Sequence, residues 1–142
     1  MSDFRTVDLR FRARYAETDT GGVVYYANYL VWFEMGRSEF CRAIGYPYTR
    51  IEEEGYLMVV AEATARYKRS AHYDDRILVR TTMPEIRKKT CRFHHQIFRE
   101  DTMELLAEGG TVHVVVSKET GRTVSLPEST IKHFRKAIRA PL

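Results

Sequence analysis

The side chain in this sequence best placed to do chemistry is Asp19. It stands in the string Thr18-Asp19-Thr20-Gly21-Gly22, where paired glycines permit backbone conformations that other residues resist. A carboxylate in a loop between a strand and a helix start can lie near outward-pointing backbone N–H groups. That is a site for an acid or a nucleophile beside an oxyanion hole. The same string suits a plainer role, because Asp in such strings commonly caps a backbone amide and turns the loop. Residue type alone leaves both readings open.

The other reactive residues form no group. His94 and His95 are adjacent in an expected strand, so they point to opposite faces and cannot bind one metal as a local pair. His72, His113 and His133 are isolated and read as surface or satisfied core. Cys41 and Cys91 are fifty residues apart with no CxxC, so they read as packed free thiols. No GxGxxG, P-loop, GxSxG or HExxH pattern occurs, which removes sequence support for the common nucleotide, triad and zinc chemistries and leaves no expected metal site.

The elements that must position Asp19 follow from periodicity. Val7, Leu9, Phe11, Ala13 and Tyr15 alternate with mostly charged residues, which predicts a half-buried strand over 7–15. After the Gly-bearing loop, Tyr29, Trp32, Phe33, Gly36, Phe40, Ala43 and Ile44 recur at spacings of three and four, predicting a helix of about 16 to 18 residues stopped by Gly45 and Pro47. Gly36 within that stripe costs about 1 kcal/mol relative to Ala, so a neighbour must approach the helix closely there. Thr49-Arg50-Ile51-Glu52 has capping-box spacing and predicts a short helix. Strands are then expected over 56–69, 76–84, 90–99, 103–117 and 122–126, and Pro127 opens a last amphipathic helix through Ile131, Phe134 and Ile138. Consecutive strands with one early helix imply an α+β fold with an antiparallel sheet.

The chain has 142 residues, 44% hydrophobic and 30% charged, which suits one globular domain over 1–142 and excludes a disordered chain. Its longest apolar stretches fall far short of the roughly 20 residues that span a bilayer. The N-terminal residues carry no signal-peptide pattern, so the expectation is a cytoplasmic protein without a membrane span. Net charge is +4, yet ten Lys and Arg face four Asp and Glu between Glu62 and Arg99. Such an excess attracts polyanions or is solvated surface; with no recognised motif it gives no support for a nucleic-acid partner.

The run Tyr15-Ala16-Glu17-Thr18-Asp19-Thr20-Gly21-Gly22-Val23-Val24-Tyr25-Tyr26-Ala27-Asn28-Tyr29, continued by Trp32-Phe33-Glu34 and Arg37, resembles the signature of the 4-hydroxybenzoyl-CoA thioesterase family. Within it the similarity is greatest to the branch of small bacterial acyl-CoA thioesterases associated with the Tol-Pal system. It extends to Ala71-His72-Tyr73-Asp74-Asp75 and Arg87-Lys88-Lys89-Thr90.

That resemblance implies a hot-dog fold, in which an antiparallel sheet wraps one long central helix, and a homodimer or homotetramer with active sites between subunits. It makes Asp19 the catalytic carboxylate, as nucleophile or general base on an acyl-CoA of aliphatic or aryl type. It makes the backbone N–H of Tyr26 the oxyanion donor, although many members have His at that position. Tyr15 matches a family position that shapes the site, with a core aromatic as the alternative. Glu34 and Arg37 match as well, and at i and i+3 they suit a helix-surface ion pair. Arg87, Lys88 and Lys89 align with a segment that binds the nucleotide portion of coenzyme A, which enters as substrate, so no separate cofactor is expected. Two rivals use the same frame: a non-catalytic acyl-thioester sensor, and a hydratase, which needs an acid and base pair that the sequence near Asp19 lacks.

Overall fold

The computed structural model describes residues 4–139. Strand β1 (Val7–Arg12) is formed by the alternating segment, with Val7 and then Ala13 buried and Arg10 and Arg12 exposed. It ends three residues sooner than periodicity predicts. Ala13 N–H donates to Asp75 O, and the chain tightens into a single 3-10 turn over Tyr15–Glu17. Tyr15 is thereby turned out to 76% exposure, edge-on to Tyr73, so it is not a core aromatic.

Helix α1 (Asn28–Ala43) buries Tyr29, Trp32, Phe33, Gly36, Phe40 and Cys41, the expected stripe. It stops where Gly45 takes φ +78°, a left-handed conformation that L side chains resist. The expected cap of the short helix is corrected: α2 (Tyr48–Glu53) starts after Pro47, whose fixed φ suits a helix entry, so Thr49 lies inside the helix and caps nothing.

The sheet contains β1, β2 (Tyr56–Tyr67), β3 (Arg76–Ile86), β4 (Thr90–Arg99) and β5 (Glu104–Ser117) in the order β1-β3-β4-β5-β2, every pair antiparallel. The expected strand at 122–126 does not form. β4 pairs with β5 only as far as Val114, so the edge left for this segment is the short stretch from Val115 to Ser117, which carries a single bridge from Val116 to Thr123 and hydrogen bonds from Val124 N–H to Val115 O and from Ser117 N–H to Arg122 O. Helix α3 (Glu128–Arg139) closes the described chain and buries Ile131, Phe134 and Ile138.

One sheet face packs against α1, which touches β1, β3, β4 and β2. Fully burying side chains such as Trp32, Phe33, Phe40 and Phe93 contributes about 1.5–3 kcal/mol each. At the crossing, a Cβ on Gly36 would lie 2.6 Å from Thr81 Oγ1 and 2.8 Å from Val79 Cγ1, so the helix sits on the sheet at a distance only glycine allows. This close seat fixes the end of α1 from which the Asp19 loop departs.

Candidate active site

The loop holding Asp19 is tied down from below by Glu17, whose carboxylate is buried. Trp32 Nε1 donates to its Oε2 at 2.8 Å, and Arg14 N–H donates to its Oε1 at 2.8 Å. Its backbone carbonyl accepts from Tyr25 N–H at 2.9 Å and from Asn28 Nδ2 at 2.8 Å. One residue therefore joins the end of β1, the return of the loop and the first turn of α1.

Above that anchor the loop closes on itself. Asp19 N–H donates to Val23 O, Gly22 N–H donates to Asp19 O, and Gly22 takes φ +82°. Gly21 N–H donates to Asp19 Oδ1 at 2.8 Å. Asp19 thus does cap its own turn, but with one oxygen; Oδ2 has no hydrogen-bond partner among the described residues. The carboxylate is exposed and shares a cavity of ≈ 290 Å³ with Tyr26, Tyr29, Tyr67, Lys68 and Arg69.

Tyr26 lies in the turn that leads into α1. Its backbone N–H makes no hydrogen bond among the described residues, although the neighbouring Tyr25 and Asn28 N–H groups are both used. Three other tyrosines gather around it. Tyr67 donates its hydroxyl to Tyr26 O at 3.2 Å, Tyr29 and Tyr67 meet edge-on at 5.2 Å, and Tyr25 lies 4.8 Å from the Tyr26 ring. The Tyr25 hydroxyl is held protonated, chiefly by its hydrogen bond and proximity to Tyr26, with the Asp19 charge adding to the effect. Burial pushes the Tyr29 hydroxyl up, and it accepts Ala71 N–H at 3.0 Å. A free carboxylate oxygen, an unpaired backbone donor and an apolar aromatic wall can bind a carbonyl compound and attack it.

A model of the thioesterase-like superfamily matches residues 13–134. The chain belongs to the thioesterase-like superfamily. A superfamily relative, the acyl-CoA thioester hydrolase YbgC of Escherichia coli O6:H1, is 29% identical over 125 residues, covering 88% of this chain and 92% of the relative. The acyl-CoA thioesterase YbgC of Haemophilus influenzae is 36% identical over 93 residues, 65% of this chain and 68% of the relative. Among solved structures, the DHNA-CoA thioesterase of Staphylococcus aureus superposes with a TM-score of 0.87 at 28% identity, covering 92% of this chain and 89% of that one. The fold is accordingly the hot-dog fold of these thioesterases.

The remaining positions expected from the superfamily resemblance divide. Tyr15 does not line the Asp19 cavity; its carbonyl accepts the N–H and hydroxyl of Thr18 and shapes the loop from outside. Arg87, Lys88 and Lys89 form the β3–β4 turn, where Lys89 O accepts Val115 N–H in the row of Met58. Tyr67, at the Asp19 end of β2, is nine residues further along, roughly 25–30 Å away. A single chain therefore does not bring the basic run to Asp19. The expected Glu34–Arg37 ion pair is absent among the described residues, because Glu34 instead accepts the Ser38 hydroxyl at 2.8 Å.

Sequence reasoning missed Glu17 as the anchor, and Lys68 and Arg69 as the basic groups beside Asp19. The signal for the latter pair was the basic excess itself, which includes them. Cys41 and Cys91 are buried free thiols; burial pushes the Cys41 thiol up to about 12 and the Cys91 thiol well up too, so neither is a nucleophile. Among the described residues no cluster of His, Cys, Asp or Glu could hold a metal, and no helix is long and apolar enough to cross a membrane.

Proposed function

We propose that the protein hydrolyses acyl-CoA, aliphatic or aryl, to the free acid and coenzyme A, with Asp19 as the reacting carboxylate. The observation that carries this reading is the pairing of the free Asp19 Oδ2 with the unused Tyr26 N–H at one cavity. Asp19 Oδ2 either attacks the thioester carbon or takes a proton from a water that does. The carbonyl π electrons move to oxygen, where the Tyr26 N–H meets the developing charge. Collapse of that intermediate breaks the C–S bond, and the thiolate leaves readily because a thiol pKa is about 8.5. On the nucleophilic route, water then splits the acyl–aspartyl anhydride; both routes consume one water and need no cofactor or metal.

The active unit in this proposal is a homodimer, alone or within a tetramer, located in the cytoplasm and belonging to the Tol-Pal-associated branch. Strand β2 is a twelve-residue free edge with Val59 and Val60 each more than 40% exposed, and an edge of that length is a template for pairing with another chain. Antiparallel pairing of two β2 strands about a two-fold axis sets the Tyr67 end of one against the Tyr56 end of the other. The Arg87–Lys89 turn of one subunit then comes to the Asp19 end of its partner, where the phosphates of coenzyme A need cations.

The test is release of free thiol from acetyl-, butyryl-, hexanoyl-, palmitoyl-, benzoyl- and 4-hydroxybenzoyl-CoA by the purified protein. Turnover of at least one supports the proposal. Binding of acyl-CoA without any turnover would replace it with the sensor reading.

A further inference from the structure

An N–H group stabilises developing charge only if it is aimed before the substrate arrives, because a donor that must first reorient gives back much of what it contributes. The ties that hold the Asp19 loop stop short of the Tyr26 N–H. Glu17 O accepts Tyr25 N–H on one side of it and Asn28 Nδ2 on the other, and the N-cap position of α1 is Ala27, whose methyl can cap nothing. The backbone of Tyr26 itself is held through its carbonyl alone among the described residues, and the residue is 61% exposed. That carbonyl accepts Tyr29 N–H at 3.2 Å and the Tyr67 hydroxyl at 3.2 Å. The first bond lies within the turn and moves with it; the second comes from a different element.

Tyr67 is well placed to hold a neighbour still. It is the last residue of β2, opposite Ala107 on β5, and the next two N–H groups, of Lys68 and Arg69, both donate to Leu106 O at 2.8 and 3.1 Å. Its ring stands edge-on to the buried Tyr29 ring at 5.2 Å and to the Tyr26 ring at 6.2 Å. Burial raises the pKa of its hydroxyl, which therefore keeps its proton and donates at neutral pH. No other β2 side chain hydrogen-bonds to residues 19–27 among the described residues, so the strand grips the loop through this one hydroxyl. A wall of the Asp19 cavity needs only the aromatic ring. The hydroxyl adds a bond to the same residue that carries the unused N–H.

We propose that Tyr67 is a positioning residue: its hydroxyl pins the Tyr26 carbonyl and thereby keeps the Tyr26 N–H aimed at the thioester oxygen. This rests on the acyl-CoA reading, in which that N–H meets the charge developing on the carbonyl.

Tyr67→Phe isolates the hydroxyl, because the ring and its edge-on contacts stay. With the best acyl-CoA, kcat should fall about 10-fold while KM changes by less than about two-fold, since a contact made in the transition state is loosened and ground-state binding is not. A tyrosine that only walls the cavity would raise KM and leave kcat; one that only supports the fold would lower Tm and leave kcat. Backbone 15N relaxation reads the same claim without substrate. The Tyr26 amide should show an order parameter near the roughly 0.85 of rigid backbone in the native protein and below about 0.7 in Tyr67→Phe, with the Tyr29 amide unchanged. A kcat within about two-fold of native, a KM effect in its place, or an unchanged Tyr26 order parameter overturns the proposal. If the native protein turns over no thioester, the acyl-CoA reading fails by itself, and the order parameter alone decides whether Tyr67 holds Tyr26: lost order in Tyr67→Phe supports it, and equal order overturns it.

Discussion

Glu17 carries more of the site than any residue of its type could announce. Its two carboxylate oxygens accept from Trp32 and Arg14 while its carbonyl holds Tyr25 and Asn28, so the positions of Asp19 and of the Tyr26 N–H both depend on it. Glu17→Gln gives one of two fixed N–H donors an NH2 group to face. The expected result is a loss of about 1–3 kcal/mol in denaturant unfolding, with kcat falling more than KM rises; unchanged kcat at full stability would contradict the anchoring role. Asp19 was singled out by the resemblance of its loop to a known family, because the residue types alone left the turn-capping role open, and the structure shows that cap on Oδ1. Glu17 was not, because its burial depends on an indole fifteen residues later. His113 is a second buried group with a measurable consequence. Burial, with the Arg37 charge adding, lowers its pKa from 6.5 to about 4. Between those values the unfolded chain binds a proton that the folded chain refuses, so stability falls as pH drops through that window and is insensitive to this group above it. The full effect is up to about 3 kcal/mol. Urea unfolding at pH 7 and about pH 4.5 should show it, and His113→Gln should flatten the dependence; an equal slope in that variant would contradict it.

At the scale of elements, the seat of α1 on the sheet is the tightest constraint, and the sequence showed it as a glycine in an apolar stripe. Helix propensity alone says that Gly36→Ala gains about 1 kcal/mol. Packing says the reverse, because the new methyl would meet Thr81 and Val79, both β-branched and stiff, and Thr81 Oγ1 is itself held by His95 Nδ1 at 2.9 Å. Overpacking of that kind costs about 1–3 kcal/mol, so the variant should melt lower than the native protein; a higher Tm would show that the sheet gives way. Strand β4 was readable to its ends, since alternation continues across the whole segment. Tyr15 and the 122–126 segment were misread for one reason: alternation reports what a strand would bury, and not whether a partner edge remains to pair with it. Gly109 shows the same limit. A Cβ there would lie 2.0 Å from Thr64 O, a demand set by β2 from across the sheet and invisible in the local sequence.

For the whole molecule, the separation of Asp19 from the Arg87–Lys89 turn makes the proposed shared site testable. If coenzyme A is held in trans, Asp19→Ala and a variant with Arg87, Lys88 and Lys89 all changed to Ala are each weak alone. Mixed and allowed to exchange subunits, they should regain up to about a quarter of the native sites, because each heterodimer assembles one intact site. No recovery despite demonstrated exchange would place both groups in one chain's site or remove the basic turn from binding. The fold class was legible in one chain, and the resemblance already implied active sites between subunits; the separation of the Arg87–Lys89 turn from Asp19 was not legible, since distance across the sheet appears only once the strands are in register. Catalysis by Asp19 is tested most directly by thiol release from the best acyl-CoA by native protein and Asp19→Ala, with circular dichroism confirming that the variant is folded. A loss of about 100-fold or more in kcat/KM is the expected result. Equal rates in the two proteins would contradict a catalytic Asp19.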